Sequence, residues 1–199
     1  MKIQVVVPIK LNNERFPNKN LADLRGKPLC RYLLDTLSAM PGLETTVYCS
    51  DEKICSYLPE GVRFFKRSAE LDRFSVQRQE IVLSVLRDIS ADIYVYAHVT
   101  NPFLSAQSIQ AAIDAVTADG YDSAVGVTEH HTYGWYQGRP INFDRDDLKR
   151  SQDIEPVCLE MGLFVFKREV ALRNGSVYGD RIKFLPVSDV EAVDINIPQ

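Results

Sequence analysis

The sequence predicts an α/β protein with a mostly parallel central sheet and helices on both faces, three layers in all. Short β-branched runs alternate with amphipathic helical stripes over most of the chain, which is the pattern of repeated βαβ units. The 199 residues, 45% of them apolar, are enough for one core without disulfide or metal staples. The first strand-like run ends in an asparagine-rich, cationic loop, where open α/β sheets place their ligands.

The elements follow in order. Ile3-Gln4-Val5-Val6-Val7-Pro8-Ile9 reads as a buried parallel strand. Residues 10–27 read as an irregular loop, because Asn12, Asn13, Pro17, Asn18, Asn20 and Gly26 disfavour regular structure. A helix then begins with Pro28 in its first turn and carries the stripe Leu29, Leu33, Leu37. Residues 45–50 form a strand, and Asp51 is placed to cap a short helix over 52–58. A strand at 62–65 precedes a helical stripe of Val82, Val85, Leu86 and Ile89. Residues 92–99 are a strand and Thr100-Asn101-Pro102 a turn. Ser105 heads a helix with Ile109, Ala112, Ile113 and Val116 on one face, stopped by Gly120. Further strands are predicted at 122–128, 158–166, 182–187 and 190–195.

Residues 129–157 interrupt this rhythm with aromatic and polar residues of no clear period, among them Tyr133, Trp135, Tyr136 and Phe143. Excursions of this length are usually functional or interface-forming. The segment reads as a dimer contact anchored by Trp135, with a plain surface insertion as the alternative.

Bulk properties exclude several function classes. The net charge of −4 is spread over 23 basic and 27 acidic residues without a Lys/Arg block, which argues against a dedicated nucleic-acid binder. No apolar run approaches the roughly 20 residues that span a bilayer. Cys30, Cys49, Cys55 and Cys158 form no C-x-x-C pair, and Met1-Lys2-Ile3-Gln4 is not a secretory leader. Free thiols in a reducing cytoplasm are therefore expected. Cys49 and Cys55 read as packing residues, Glu80 and Asp88 as solvent-facing helix positions, and His130-His131 as a solvated pair.

The loop after the first strand carries Lys10, Arg15 and Lys19 within ten residues, surrounded by asparagines and free backbone N–H groups. That chemistry suits a polyphosphate, since one Lys–phosphate contact near a surface gains about 4 kcal/mol of raw Coulomb energy before desolvation. By charge alone, a solvated basic loop is an equal reading. The loop is neither a Walker P-loop nor a dinucleotide-binding glycine loop.

At Pro17-Asn18-Lys19-Asn20-Leu21, followed by Leu24-x-Gly26-Lys27-Pro28-Leu29, the chain resembles the acylneuraminate cytidylyltransferase family. The resemblance continues at Lys66-Arg67-Ser68-x-Glu70-Leu71, Thr100-Asn101-Pro102-Phe103, Arg150-Ser151-Gln152-Asp153-Ile154-Glu155-Pro156, Glu160-Met161-Gly162-Leu163 and Asp194-Ile195-Asn196-Ile197-Pro198. It thus covers essentially the whole chain in order.

The resemblance implies a nucleotide-diphospho-sugar-transferase-like fold forming one domain over 1–199, with 129–157 serving the dimer and the sugar site. It implies nucleotide contacts from Lys10, Asn13, Arg15, Lys19, Asn20 and Arg67, and catalytic roles for Lys10, Lys19 and Asp194. Acceptor contacts fall to His98, Thr100, Asn101, Arg150 and Gln152, and a Mg²⁺ ion to Asp194 and Asn196. The implied reaction moves CMP from CTP to the anomeric hydroxyl of an acidic keto-sugar and releases pyrophosphate, in a cytoplasmic homodimer that engages neither nucleic acid nor membrane. Two alternatives stand beside it: a nucleotidyltransferase for another base or a sugar phosphate, and a non-catalytic nucleotide-binding homologue. Seven positions depart from the family's usual residues: Lys10 for Arg, Leu11 and Asn12 for Gly, Asn13 for Ser, Glu14 for Lys, His98 for Gln, and Asn196 for Asp.

Overall fold

The computed structural model describes residues 1–13 and 16–196. Eleven strands are described: β1 (Ile3–Pro8), β2 (Asp23–Leu24), β3 (Lys27–Pro28), β4 (Glu44–Cys49), β5 (Arg63–Lys66), β6 (Ile93–Ala97), β7 (Ser123–His130), β8 (Trp135–Tyr136), β9 (Arg139–Pro140), β10 (Val157–Lys167) and β11 (Ile182–Pro186). Four α-helices accompany them: α1 (Leu29–Ser38), α2 (Arg78–Asp88), α3 (Ala106–Thr117) and α4 (Arg168–Asn174). Seven strands form the main sheet in the order β11-β7-β10-β6-β1-β4-β5.

Within it β1 runs parallel to both β4 and β6, β5 is parallel to β4, and β11 to β7. Only β10 is reversed, antiparallel to β6 and β7. The chain leaves β1 toward β4 on one side and later returns to β6 on the other. A crevice therefore opens at the carboxyl end of β1, where neighbouring connections depart in opposite directions.

The strand period divides the core in two. Val5 and Val7 of β1, with Ile93, Val95 and Ala97 of β6, pack against Leu33, Leu34 and Leu37 of α1 and Ile109, Ile113 and Val116 of α3. Val6, Tyr94 and Tyr96 point the other way, onto Val82, Val85 and Leu86 of α2 and Ala171 of α4. Successive side chains of a strand face opposite sides of the sheet, so near-continuous apolar runs are what a doubly covered sheet demands. The three-layer expectation stands.

Several local expectations are corrected. Residues 52–57 form a 3₁₀ segment rather than an α-helix, although Asp51 does cap it by accepting from the Lys53 N–H at 2.9 Å. The short α4, ended by Gly175 in the left-handed region, has no counterpart in the sequence reading; two turns are too few to show a period. Most consequential, 190–195 is not a strand. Val190 and Val193 are exposed, and the segment is bonded to the turn after β6: Ile195 N–H to the Thr100 carbonyl at 2.9 Å, and Asn101 Nδ2 to the Val193 and Ala192 carbonyls at 3.1 and 3.4 Å. Cys55 is exposed, whereas Cys49 is buried as expected. Asp88 is not simply solvated: it accepts the Tyr48 hydroxyl at 2.5 Å. Glu80 accepts the Gln77 N–H at 2.8 Å and so caps α2.

The excursion carries one tight hairpin, β8 and β9, whose turn residues Gln137 and Gly138 both have positive φ, as a primed turn requires.

Candidate active site

The loop after β1 is anchored by its own asparagine: Asn20 Nδ2 donates to the Lys10 carbonyl at 2.8 Å and folds the loop back on its start. A 3₁₀ turn over Lys19–Leu21 then points Lys19 inward. Lys10, Asn13, Lys19 and Asn20 consequently line one open cleft of about 360 Å³, together with Arg67 and Thr100. Phe74 faces them, its ring centroid 4.3 Å from Lys10 Nζ. Arg15, expected here, lies outside the described residues, as does Glu14.

Arg67 is buried just beyond β5. One guanidinium nitrogen donates to Asp72 at 2.7 Å, while Nε and Nη1 have no hydrogen-bond partner among the described residues. The Oδ1 atoms of Asn13 and Asn20 are likewise buried without a donor. Buried polar groups are nearly always satisfied in native proteins, so this set of orphaned donors and acceptors around one cleft marks a place for a ligand. The donors fit anionic oxygens; the acceptors fit N–H or O–H groups of the same ligand.

His98 forms the floor between this cleft and a second cavity lined by Asn101, Glu160, Gly162 and Asp194. Burial, then the positive charge of Arg78, pushes its pKa down to about 4. It is therefore a neutral imidazole at physiological pH, able to exchange hydrogen bonds but not to supply charge.

Asn101 ties the region together. Its Oδ1 accepts the Gly162 N–H at 3.0 Å, and its Nδ2 holds the segment that bears Asp194. Gly162 must be glycine for this contact, since a Cβ there would stand 2.4 Å from Asn101 Oδ1 and 2.6 Å from His98 Cβ. Lys19 reaches across to the same segment, donating to Asn196 Oδ1 at 3.2 Å, and Asn196 Nδ2 donates to Asp194. Cations from the beginning of the chain and the carboxylate near its end thus share one set of adjoining cavities.

Arg150 and Gln152 lie elsewhere. Arg150 is exposed on the excursion, paired with Asp153 at 2.7 Å, and neither Arg150 nor Gln152 lines either cavity. Sequence reading missed Arg78 at the start of α2, which lines both cavities and pairs with Glu160 at 2.9 Å. Nothing local distinguishes it from a solvated helix-start arginine.

A family model described as Cytidylyltransferase matches residues 4–174. The chain belongs to the cytidylyltransferase family. It is 22% identical over 206 residues to N-acylneuraminate cytidylyltransferase A of Danio rerio, an alignment covering 98% of this chain and 48% of that protein. The chain thus spans about half the length of this curated relative. It is 30% identical over 122 residues to the 3-deoxy-manno-octulosonate cytidylyltransferase of Geobacter metallireducens, covering 60% of this chain and 46% of the relative.

Solved structures share the fold. The bifunctional IspDF of Campylobacter jejuni superposes with a TM-score of 0.70 at 14% identity, covering 99% of this chain and 52% of that one. A CMP:2-keto-3-deoxy-manno-octonic acid synthetase complexed with CTP gives 0.66 at 15% identity, covering 96% and 81%. No helix among the described residues is long and apolar enough to cross a membrane.

Proposed function

We propose that this cytidylyltransferase-family protein transfers CMP from CTP to the anomeric hydroxyl of an acidic keto-sugar of the sialic acid or octulosonate type, releasing pyrophosphate. The observation that carries the reading is the pair of orphaned, buried Arg67 donors in the same cleft as Lys10 and Lys19, the last of which also lines the adjoining cavity of Asp194. A triphosphate is a ligand that such a cleft would satisfy. The orphaned Asn13 and Asn20 oxygens would accept from the ribose or the base amino group.

In this reaction the acceptor hydroxyl oxygen bonds to the α-phosphorus, the α–β phosphoanhydride bond breaks, and the hydroxyl proton is released. Transfer of this kind asks the protein chiefly for positioning and charge stabilisation. Lys10, Lys19 and Arg67 would hold the phosphate oxygens and offset charge on the leaving pyrophosphate. His98, neutral, would orient the acceptor against the nucleotide, and Thr100 and Asn101 would set the floor on which both lie.

A Mg²⁺ ion brought with the nucleotide would take Asp194 as its one carboxylate and the Asn196 amide oxygen, which now accepts from Lys19, as a neutral ligand; no group of three or more His, Cys, Asp or Glu side chains suited to a metal occurs among the described residues. Magnesium is commonly held by one or two carboxylates plus phosphates and water, and when bound it supplies charge neutralisation at the phosphates. We also read the protein as a cytoplasmic homodimer joined through 129–157, which would bring a partner's Arg150 and Gln152 toward the acceptor. The exposed Trp135, Tyr136, Ile141 and Leu148 on that segment support the reading.

The test is pyrophosphate release from each of the four ribonucleoside triphosphates, with Mg²⁺, against N-acetylneuraminate, 3-deoxy-manno-octulosonate and neutral sugar phosphates. Release with CTP and one of the acids is expected. Preference for a neutral sugar phosphate would overturn the acceptor class, and CTP binding without release from any acceptor would mark a non-catalytic homologue.

A further inference from the structure

Three side chains from distant parts of the chain meet at Arg78, which lines both cavities; Glu160 lines the second with it, and Tyr178 shares an adjoining pocket with Arg78. Arg78 begins α2, Glu160 lies on β10 where its register against β7 shifts, and Tyr178 follows α4. Arg78 Nη1 donates to Glu160 Oε1 at 2.9 Å, and Nη2 donates to the Tyr178 hydroxyl at 2.6 Å. That hydroxyl donates in turn to Glu160 Oε2 at 2.5 Å. The guanidinium carbon sits 4.4 Å from the Phe164 ring centroid, so an aromatic face supports the cation from one side.

We infer that Arg78, with the Tyr178 hydroxyl, reads the carboxylate of the acceptor, and that Glu160 holds that carboxylate's place until the acceptor arrives. The inference rests on the reading of the protein as a transferase acting on an acid.

Three features support it. First, one guanidinium N–H and one phenol O–H converge on the two oxygens of a single carboxylate, an arrangement complementary to any carboxylate and far weaker for a neutral group. Second, the occupant is displaceable. The Glu160 side chain is 44% exposed and can turn to water without stranding a buried charge, whereas Arg78 is fixed by its stacking on Phe164. Third, the position suits the chemistry. In the ring form of a 2-keto-sugar acid, the carboxylate and the anomeric hydroxyl share one carbon. A carboxylate docked on Arg78, which lines both cavities, therefore leaves the hydroxyl at the edge of the nucleotide cleft. Arg150 offers no such geometry within the protomer, being exposed and paired with Asp153.

Calorimetric binding to the CTP-loaded protein, with Mg²⁺ chelated to prevent turnover, tests this with N-acetylneuraminate, 3-deoxy-manno-octulosonate and the C1 carboxamide of each. Arg78→Gln should weaken binding of the favoured acid by at least about tenfold, roughly one pair of charge-assisted hydrogen bonds, and abolish the preference for acid over carboxamide. Arg78→Lys should recover part of that preference. Glu160→Gln weakens the internal competitor for Arg78 and should tighten acid binding several-fold, and by more than it tightens carboxamide binding. Melting temperatures report whether each variant is folded. The inference falls if Arg78→Gln weakens acid and carboxamide equally, if Glu160→Gln weakens the acid as Arg78→Gln does, or if the wild type binds neither acid. If it binds neither acid yet releases pyrophosphate with a neutral sugar phosphate, nucleotidyl transfer survives and this inference does not. Failure to bind CTP at all would instead remove the transferase reading.

Discussion

Lys19 and Arg67 face the same cleft but are not equivalent probes of it. Arg67 is buried and bonded to Asp72, so truncating it would strand a buried carboxylate and confound activity with folding. Lys19 donates to the neutral amide oxygen of Asn196 at 3.2 Å, and Asp194 is exposed, so neither truncation leaves a carboxylate buried as the loss of Arg67 would. Lys19→Ala and Asp194→Ala should each lower the rate of pyrophosphate release by about 100-fold or more, the scale of a lost charge-stabilising contact. Circular dichroism and melting temperature should stay near wild type. Retained turnover in both variants would show that the reacting phosphates lie elsewhere. At this scale legibility followed sequence locality. Lys10, Asn13, Lys19 and Asn20 belong to one loop after one strand, and such a loop announces its chemistry. Arg78, Glu160 and Tyr178 are 18 or more residues apart, and only the packing of α2 on β10 makes them a cluster.

The segment carrying Asp194 is an irregular strap rather than a sheet strand, so its position depends on individual contacts. Glu191 is its main tether. Glu191 Oε1 accepts the Ser105 N–H at 3.1 Å and the Ser108 hydroxyl at 2.7 Å, at the start of α3, while Oε2 accepts from Ser188. Partial burial alone would raise its pKa, but these hydrogen bonds prevail and pull it down to about 2. A carboxyl whose folded pKa is depressed contributes stability that is fully present above its ordinary value of 4.5 and is lost as the pH falls toward 2. Glu191→Gln should therefore cost about 1 kcal/mol near neutral pH, after allowance for solvent screening. Wild type and variant should converge when denaturant unfolding is repeated near the acid end of that window; a constant difference at both pH values would show that the charge is not what matters. The sequence run Val190, Ala192, Val193, Ile195 looks strand-like because it is apolar, yet it joins neither edge strand of the main sheet, β11 or β5, and crosses toward the turn after β6 instead.

For the whole molecule, the excursion sets the quaternary prediction. Its exposed aromatics lie beyond the sheet on a hairpin, with Trp135 and Tyr133 packing edge-to-face on Phe143 to make one rigid apolar surface. Sedimentation velocity should show a concentration-dependent dimer. Trp135→Glu should weaken its association by about tenfold or more, the usual scale for a buried aromatic anchor. A monomer at high concentration in the wild type would leave the excursion as a surface insertion and remove the route by which Arg150 reaches an acceptor. The same segment shows why oligomerisation is read only indirectly from sequence. Aromatic content marks the surface, but nothing in the linear order says what covers it.

What the sequence determined by itself was the layered α/β architecture and the cationic loop, because both are written in local periods: two residues for a strand, 3.6 for a helix, one loop for a phosphate cradle. The tertiary structure decided which distant groups share a cavity. Strand order, with β10 reversed between β6 and β7, brings Glu160 and Gly162 beside His98 and Asn101, and the terminal strap carries Asp194 to Lys19. Those contacts depend on how whole elements pack, and the free energy that selects the packing is spread over the entire core rather than stored in any one stretch of chain.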